Sequence, residues 1–257
     1  MIIEPLSLEK LTRYERLFNL CFPKSNLNAN YLDWLYYKNP LGNAVGFDAI
    51  IEGEIVGHYA CIPTNVDGKK GLLSLNTATH PNHRSKGIYQ NLANLTYDTW
   101  REEFNFVIGV ANSQSASAFI RKLGFDEVGK LNLRYGSLSR PTNGVKTWNL
   151  DEVFWRASSP RKTFKVKELK NGTFEISLRP SGFPFKIRSL VNLDTHTAIE
   201  NQNKYEIGLT VDWVKNRNSV LHLPEKFKPS PLVLIFKKLS GTDINLNSWS
   251  FPDFDAF

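Results

Sequence analysis

The segment between Gly71 and Val110 constrains the fold of this chain more than any other part of its sequence. Side chains alternate along Gly71–His80 as in a β-strand, and Pro81 ends that strand because proline lacks a backbone donor. A helix with one apolar side is predicted over Gly87–Glu103. Phe104–Val110 is then a largely apolar run, which is typical of a central strand. The sequence therefore predicts a mixed α/β fold around this segment.

Further elements are predicted on both sides of this segment. They are an amphipathic helix over 7–20, an aromatic helix at Ala29–Lys38, a hairpin of Ala44–Ile51 and Glu54–Ile62, a helix at Ser113–Lys122 and a strand at Phe125–Leu138. Beyond Ser139 the pattern weakens. It predicts a linker at 140–144, strands at 163–169 and 173–178 around a turn at Asn171-Gly172, a helix over 187–200, and strands at 231–237 and 245–250. This second part matches no fold class by its own pattern.

Positive charge is concentrated in the second part of the chain. Residues 139–257 hold 18 Lys and Arg against 12 Asp and Glu, whereas residues 1–138 hold 14 against 13. Much of the excess lies within 156–188. The asymmetry points to an anionic partner near this part of the chain, although a solvated basic face explains it equally well.

Composition and the N-terminus indicate a cytoplasmic protein. No run approaches the roughly 20 apolar residues that a membrane span needs, and the N-terminus lacks the pattern of a signal peptide. Cys21 and Cys61 each sit among apolar residues, and two isolated cysteines form neither a metal site nor a disulfide framework. We expect both to be buried in a reducing compartment.

The turn between the strand at 71–80 and the following helix is suited to an anion. Backbone N–H groups are exposed at the positive end of a helix dipole, where a pyrophosphate can bind. Gly87 allows close approach of the backbone, and Arg84 and Lys86 add positive charge. Taken alone, a purely structural turn accounts for these residues equally well.

Three segments in this order resemble the GNAT acyltransferase superfamily. Arg84-Ser-Lys-Gly-Ile-Tyr89 is similar to the pyrophosphate loop of that family, Arg/Gln-x-x-Gly-x-Gly/Ala. Thr77-Ala-Thr-His-Pro81 resembles the end of its fourth strand, where the backbone meets the pantetheine arm. Ala111–Phe125 resembles the block that flanks coenzyme A on the other side. The resemblance runs from about residue 1 to 138, and each motif falls on the expected element.

The resemblance implies the GNAT fold, α/β (α+β), with a mixed, mostly antiparallel sheet flanked by helices. It implies an acyl-CoA-binding domain at 1–138, followed by a C-terminal extension at 139–257 that is either degenerate GNAT-like or acceptor-binding. The expected activity is N-acyl transfer to a primary amine, with acetyl-CoA or another acyl-CoA as co-substrate and no metal. The residues expected to bind the co-substrate are Ala78, Thr79, Arg84, Ser85, Lys86, Gly87, Ile88, Tyr89, Asn112 and Ser115.

Proton transfer is the part that the resemblance leaves unassigned. Family members often carry a Glu on the fourth strand, but residues 71–79 contain no carboxylate. Many also carry a Tyr on the last helix as general acid, at a position that is Ile120 here, and Tyr89 replaces the small third residue of the loop. The catalytic residues therefore stay unknown. Candidates on the acceptor side are His58 and Asn76.

Other residues fit weaker hypotheses. His80 is a third candidate for the base, but loop packing is its more common role. Tyr97 and Tyr135 could replace the missing acid, although a core role is favoured for each. Further candidates that could line the acceptor pocket are Asp33, Trp34 and Tyr37, with core packing favoured for Trp34.

The acceptor is indicated only by a looser resemblance. Trp34–Gly42 and Trp249–Phe257 are similar to a subgroup of longer GNAT proteins often met in bacterial surface-polysaccharide pathways. That similarity implies a small-molecule acceptor, an amino sugar that could be linked to a nucleotide and hence anionic. Two alternatives stay open: a tandem GNAT aminoacyl transferase that uses tRNA, and a non-catalytic acyl-CoA-binding module. A homodimer also stays open.

Overall fold

The structure, a computed structural model, describes residues 1–141, 143–169, 172–181, 183–193, 206–215, 232–241 and 243–253. The first part of the chain forms β1 (Ile2–Pro5), α1 (Leu11–Cys21), α2 (Ala29–Tyr37), β2 (Val45–Ile51), β3 (Glu54–Val66), β4 (Lys69–Thr79), α3 (Ile88–Trp100), β5 (Phe106–Asn112), α4 (Ser113–Leu123) and β6 (Asp126–Ser137). The second part forms α5 (Leu150–Ala157), β7 (Lys165–Glu168), β8 (Thr173–Leu178), β9 (Ile187–Asn192), β10 (Ile207–Val214), β11 (Leu232–Lys238) and β12 (Ser248–Ser250).

Two sheets organise the described residues. The larger sheet has nine strands in the order β1-β2-β3-β4-β5-β11-β6-β10-β12, and the smaller one pairs β7, β8 and β9. In the larger sheet β4 and β5 run parallel, and the other described neighbours pair antiparallel. Helices pack on this sheet, so the predicted mixed, mostly antiparallel α/β fold is confirmed. Strand β1, at the edge of the sheet, has no counterpart in the sequence prediction.

The second part of the chain supplies a central strand to the sheet of the first part. β11 pairs with β5 over seven residues on one side and with β6 on the other. β10 then continues the sheet beyond β6. The predicted division of the chain at residue 138 remains a prediction, but the larger sheet is continuous across it.

The predicted helix over 187–200 is wrong where the structure describes it. Ile187, Leu190 and Val191 recur at helical spacing, which favours a helix in the sequence. These residues instead form β9, which pairs along its full length with β8, and all three side chains are buried. Burial against neighbouring strands outweighs the spacing. The remaining predictions that lie outside the described residues concern positions 142, 171, 194–200, 231 and 254–257.

An apolar core lies on each side of the large sheet. On one side, α1 and α2 bury side chains such as Phe18, Leu32 and Leu35. On the other, α3 and α4 bury Leu92 and Phe119 among others. Burial of a large apolar side chain contributes about 1.5 to 3 kcal/mol, so these two layers hold the helices against the sheet. No helix among the described residues is long and apolar enough to span a membrane.

Helix α2 is also fixed to the second part of the chain. Trp34 of α2 stacks on Trp155 of α5 with ring centroids 4.8 Å apart. Each indole Nε1–H donates to the backbone oxygen of the other tryptophan, at 3.1 Å in both directions. Core packing, the favoured role of Trp34, is what this contact provides, and it brings the start of the second part beside α2.

Candidate active site

The parallel strands β4 and β5 separate part of the way along their length. Their pairing begins with Leu72 opposite Val107 and ends with Ser74 opposite Gly109, although β4 continues to Thr79. The cause is a β-bulge in β4, where one extra residue shifts the register with β3 and Asn76 adopts a left-handed backbone with φ of 50°. Beyond Ser74 the edge of β4 that faces β5 has no sheet partner among the residues that the structure describes. We call this gap the strand opening.

The loop that leaves β4, residues 84–87, forms the start of α3 at one end of the strand opening. Ser85 and Gly87 both lie in the left-handed region, with φ of 63° and 73°, and Gly87 caps α3 without any side-chain hydrogen bond. A β-carbon on Gly87 would meet no heavy atom of the described residues within 4 Å. Arg84 and Lys86 are exposed. This helix-start loop therefore offers backbone N–H groups, open space and positive charge together.

Side chains around the helix-start loop tie it to the end of β4. Arg84 Nε donates to the backbone oxygen of Thr79 at 3.4 Å, and the Cys21 thiol donates to the same oxygen at 3.4 Å. Ala78 and Ile88 are buried and hold the strand and the helix in the core. His80 accepts from the backbone N–H of Asn82 at 3.2 Å, which agrees with the loop-packing role favoured for it.

Helix α4 begins at the same edge of the sheet as α3, because the strands that precede the two helices are parallel. Asn112 caps α4, and its Oδ1 accepts from the backbone N–H of Ser115 at 2.8 Å. Asn112 and Ser115, two of the residues expected to bind the co-substrate, thus lie at the same edge of the sheet as the helix-start loop. One N–H group of α4 is already satisfied by its cap, whereas α3 has no such cap.

Tyrosines occupy the core beneath the strand opening on the side of α3. The hydroxyl of Tyr59 bonds to those of Tyr97 and Ser74, at 2.5 Å and 2.8 Å, and burial raises the pKa of Tyr97 well above its usual value. The Tyr89 hydroxyl is buried and has no hydrogen-bond partner among the described residues. Tyr97 is therefore a core residue. Tyr135 is 53% exposed on β6, which β11 separates from β5.

On the side of α1 and α2, four side chains form a continuous hydrogen-bonded row, which we call the polar chain: Asp48, His58, Tyr36 and Asn76. His58 Nδ1 lies 2.8 Å from Asp48 Oδ1, and its Nε2 lies 2.9 Å from the Tyr36 hydroxyl. Asn76 Nδ2 donates to that hydroxyl at 3.3 Å. Asp48, His58 and Tyr36 have no exposed surface, while Asn76 is half-buried at the bulge. The polar chain therefore runs from the core to the strand opening.

The buried carboxylate at the inner end of the polar chain is fully compensated. Asp48 Oδ2 accepts from the Tyr14 hydroxyl at 2.8 Å and from Lys10 Nζ at 3.2 Å. Lys10 also pairs with Glu4 at 2.8 Å. Burial, and secondarily Asp48, raises the pKa of Tyr14, and burial raises that of Tyr36 far above its usual value. Both hydroxyls are protonated at neutral pH.

Two members of the polar chain are predicted from the sequence as site residues, and the other two are not. His58 and Asn76 were acceptor-side candidates, and Tyr36 joins them. Tyr36 and Asp48 carry no local signal, because each lies within an apolar helix or strand pattern. Of the aromatic-helix candidates, Asp33 pairs with Lys38 at 2.5 Å. The Tyr37 hydroxyl is buried without a partner among the described residues, and burial raises its pKa to about 12.

Arg161 and the adjacent Lys162 form a basic group near the N-terminal end of α2. The Arg161 guanidinium is 5.2 Å from the ring centroid of Tyr31, a residue of α2. Burial, together with the neighbouring Arg161, lowers the pKa of Lys162 to about 8. Neither side chain forms an ion pair with a carboxylate of the described residues. Two adjacent cations that have no counterion within the described part of the chain are suited to an anionic ligand.

Comparison with known families gives one match over the first part of the chain. Residues 3–128 match the model of the acetyltransferase (GNAT) domain. No curated protein sequence matches the chain significantly. The matched segment contains the helix-start loop, the strand opening and the polar chain.

One solved structure is similar to nearly the whole of this chain, and others are similar to about half of it. A conserved protein of unknown function from Enterococcus faecalis V583 is similar over 93% of this chain and 72% of its own, with 10% identity and a TM-score of 0.58. The GNAT family N-acetyltransferase YhbS from Escherichia coli, solved in complex with CoA, covers 49% of this chain and 68% of its own, with 20% identity and a TM-score of 0.41. The aminoglycoside 6'-N-acetyltransferase from Enterococcus faecium covers 51% and 88%, with 15% identity and a TM-score of 0.42. The first similarity shows a shared fold that includes both parts of the chain.

Proposed function

Residues 3–128 belong to the GNAT acetyltransferase family, and on that premise we propose that this chain transfers an acetyl group from acetyl-CoA to the primary amine of a small molecule. The observation that carries the proposal is the strand opening beside the uncapped start of α3. An acyl-CoA has a pyrophosphate, a pantetheine arm with amide groups and a thioester. The helix-start loop and the unpaired edge of β4 offer partners for each of these in sequence.

The pyrophosphate would bind at the helix-start loop. Its negative charge suits the N–H groups that follow Gly87 and the exposed Arg84 and Lys86. The amides of the pantetheine arm would pair with the backbone of Asn76–Thr79, as an added strand pairs with a sheet edge. Asn112 and Ser115 would flank the arm on the side of β5.

Amide formation requires the thioester and the amine to be held in contact. Three steps then follow: the amine attacks, the thiolate leaves and the nitrogen loses a proton. The amine nitrogen attacks the thioester carbon, and a backbone N–H of β4 beyond Ser74 stabilises the oxygen on which negative charge develops. The C–S bond then breaks, and the thiolate leaves without a side-chain acid, since Ile120 stands where the family often has a tyrosine. The proton that the attacking nitrogen loses passes to water or to the departing thiolate. The amine reaches the thioester from the side of α1 and α2, where the polar chain meets the opening.

A binding titration and a turnover assay test this proposal together. We expect acetyl-CoA to bind with a dissociation constant in the range of about 1 µM to 1 mM that is usual for enzyme substrates. Thiol release should then be measured with amino sugars, nucleotide-linked amino sugars, spermidine and short peptides. Absence of acetyl-CoA binding would refute the proposal. Binding without thiol release for every amine would favour a non-catalytic acyl-CoA-binding module instead.

We further propose that the acceptor is an anionic amino sugar and that the second part of the chain helps to bind it. Arg161 and Lys162 support this, because Arg161 lies against α2, the helix that also carries Tyr36 of the polar chain, and Lys162 is beside Arg161. Glucosamine 6-phosphate and glucosamine are a matched pair of acceptors that differ by one phosphate. We expect a higher kcat/KM for the phosphorylated sugar, and a loss of that preference in Arg161→Gln. Equal use of both sugars would contradict an anionic acceptor, and strongly salt-dependent binding of tRNA would favour the aminoacyl-transfer alternative.

A further inference from the structure

We propose that Tyr36, held by His58 and Asp48, is a positioning residue that acts on the acceptor amine through Asn76. The inference rests on the proposed function, since it assumes that an amine reaches the strand opening. It assigns no covalent step to the polar chain. In this role, a row of buried hydrogen bonds fixes which atom of the Asn76 carboxamide faces the acceptor.

The hydrogen bonds of the polar chain have one consistent direction. Asp48 can only accept, and it already accepts from Tyr14 and Lys10, so His58 Nδ1 carries the proton toward it. In the tautomer that carries its proton on Nδ1, Nε2 is an acceptor, and Tyr36 donates its hydroxyl proton there. The Tyr36 oxygen is left as an acceptor. The carboxamide of Asn76 meets that oxygen with its Nδ2, which is a donor.

This direction decides how Asn76 presents itself at the strand opening. Because Nδ2 is bonded to Tyr36, the carbonyl oxygen Oδ1 is the atom left over. Oδ1 has no hydrogen-bond partner among the described residues, and it is not enclosed in the core. The left-handed backbone at the bulge, with φ of 50°, further restricts where the side chain of Asn76 can reach.

An oxygen acceptor at this point suits an attacking amine. A neutral primary amine must turn its lone pair toward the thioester carbon and its N–H bonds away from it. Oδ1 of Asn76 can accept one of those N–H groups and so fix the orientation of the nitrogen. If the carboxamide were turned over, its NH₂ group would face the amine as a donor and would compete with the thioester for the lone pair. Fixing the carboxamide therefore favours productive acceptor binding.

Three variants test the inference against a merely structural role. Tyr36→Phe removes the hydroxyl that holds Asn76 and keeps the ring. With glucosamine 6-phosphate, or the panel amine with the highest turnover, we expect KM for the amine to rise about 3- to 10-fold, as for loss of one hydrogen bond. Asn76→Ala should raise it at least as much. In the double variant, KM should rise no further than in Asn76→Ala alone, because the two residues act as a unit.

Tyr14→Phe is the matched control, because it too removes a buried tyrosine hydroxyl. The Tyr14 hydroxyl donates to Asp48 and does not contact Asn76. Its amine KM should stay within about twofold of wild type, since that bond only supports Asp48. Additive effects of Tyr36→Phe and Asn76→Ala, an unchanged KM in Tyr36→Phe, or an equal rise in Tyr14→Phe would each overturn the inference. Acetyl-CoA titrations distinguish failure of the positioning role from failure of the proposed function. Normal acetyl-CoA binding with additive effects refutes the positioning role alone, whereas absent binding by the wild type refutes the proposed function and this role with it.

Discussion

The helix-start loop and the polar chain lie on opposite sides of the same strand opening, and they are built in opposite ways. In the loop, backbone groups and open space face outward, and Arg84 and Lys86 are exposed. In the polar chain, three of the four side chains are fully buried, and the polar side-chain atoms of these three are hydrogen-bonded to neighbours. Changes to the exposed side chains of the loop should therefore alter ligand binding with little effect on stability, while changes deep in the polar chain should alter stability.

The largest expected effect separates the two regions by stability. Asp48→Ala leaves Lys10, His58 and Tyr14 without their shared acceptor, so the free energy of unfolding should fall by about 3 to 5 kcal/mol. Lys86→Ala, on the exposed loop, should change it by less than about 0.5 kcal/mol. Urea denaturation measures both. Similar losses in the two variants would break the comparison.

The next effect concerns binding at the loop. Gly87→Val forces a side chain into the open space above α3 and into a left-handed backbone, so acetyl-CoA affinity should fall about 100-fold, or roughly 2.7 kcal/mol. Gly68→Val is a matched control, because Gly68 has the same φ of 73° and no atom within 4 Å of an added β-carbon, but lies in the turn before β4. Calorimetry should show lower affinity only for Gly87→Val. Equal acetyl-CoA affinity in both variants would show that acetyl-CoA does not bind at the helix-start loop.

A smaller effect tests the charge on the loop. Arg84→Gln should weaken acetyl-CoA binding about 3- to 10-fold at low salt, and the difference from wild type should shrink as salt rises, because an exposed charge is screened. Arg101→Gln, an exposed cation at the other end of α3, is the control and should bind normally. A salt-independent loss in Arg84→Gln would mean that its bond to Thr79, rather than its charge, matters.

The smallest effect lies in the basic group beside α2. The pKa of Lys162 is lowered to about 8, so this side chain is mostly charged at pH 7 and mostly neutral at pH 9. The terminal phosphate of uridine diphosphate has a second pKa of about 6, so its charge changes little across that range. Its affinity should therefore fall about 2- to 5-fold between pH 7 and pH 9, as one weak charge interaction is lost. The fall should be absent in Lys162→Gln. The same pH dependence in that variant would assign the change to another group.

The contrast between the two regions also explains what the sequence revealed. The helix-start loop is one contiguous segment, so its turn, its glycine and its basic residues can all be recognised in the sequence. Most elements of the first part were likewise recognisable from local periodicity, although β1 was missed. The polar chain joins β2, β3, α2 and β4, so no local pattern records it. His58 and Asn76 could be named by residue type, but Tyr36 and Asp48 become visible only when the strands and helix are packed.

The second part of the chain shows the same limit. β11 was predicted as a strand, but its position between β5 and β6 depends on pairing with residues more than a hundred positions away. The sequence predicts a helix at the position of β9, because apolar spacing alone does not report a neighbouring strand. Non-local pairing is the information that local periodicity lacks.

Hydrogen exchange with and without CoA tests the central claim most directly, namely that an acyl-CoA occupies the strand opening with its pyrophosphate at the helix-start loop. CoA should slow exchange in peptides that span residues 75–90, where the unpaired edge of β4 and the start of α3 would gain hydrogen bonds. A weaker effect is expected at 110–116, where α4 is already capped. Unchanged exchange over 75–90 at a CoA concentration that saturates binding, or protection confined to residues beyond 139, would contradict the account.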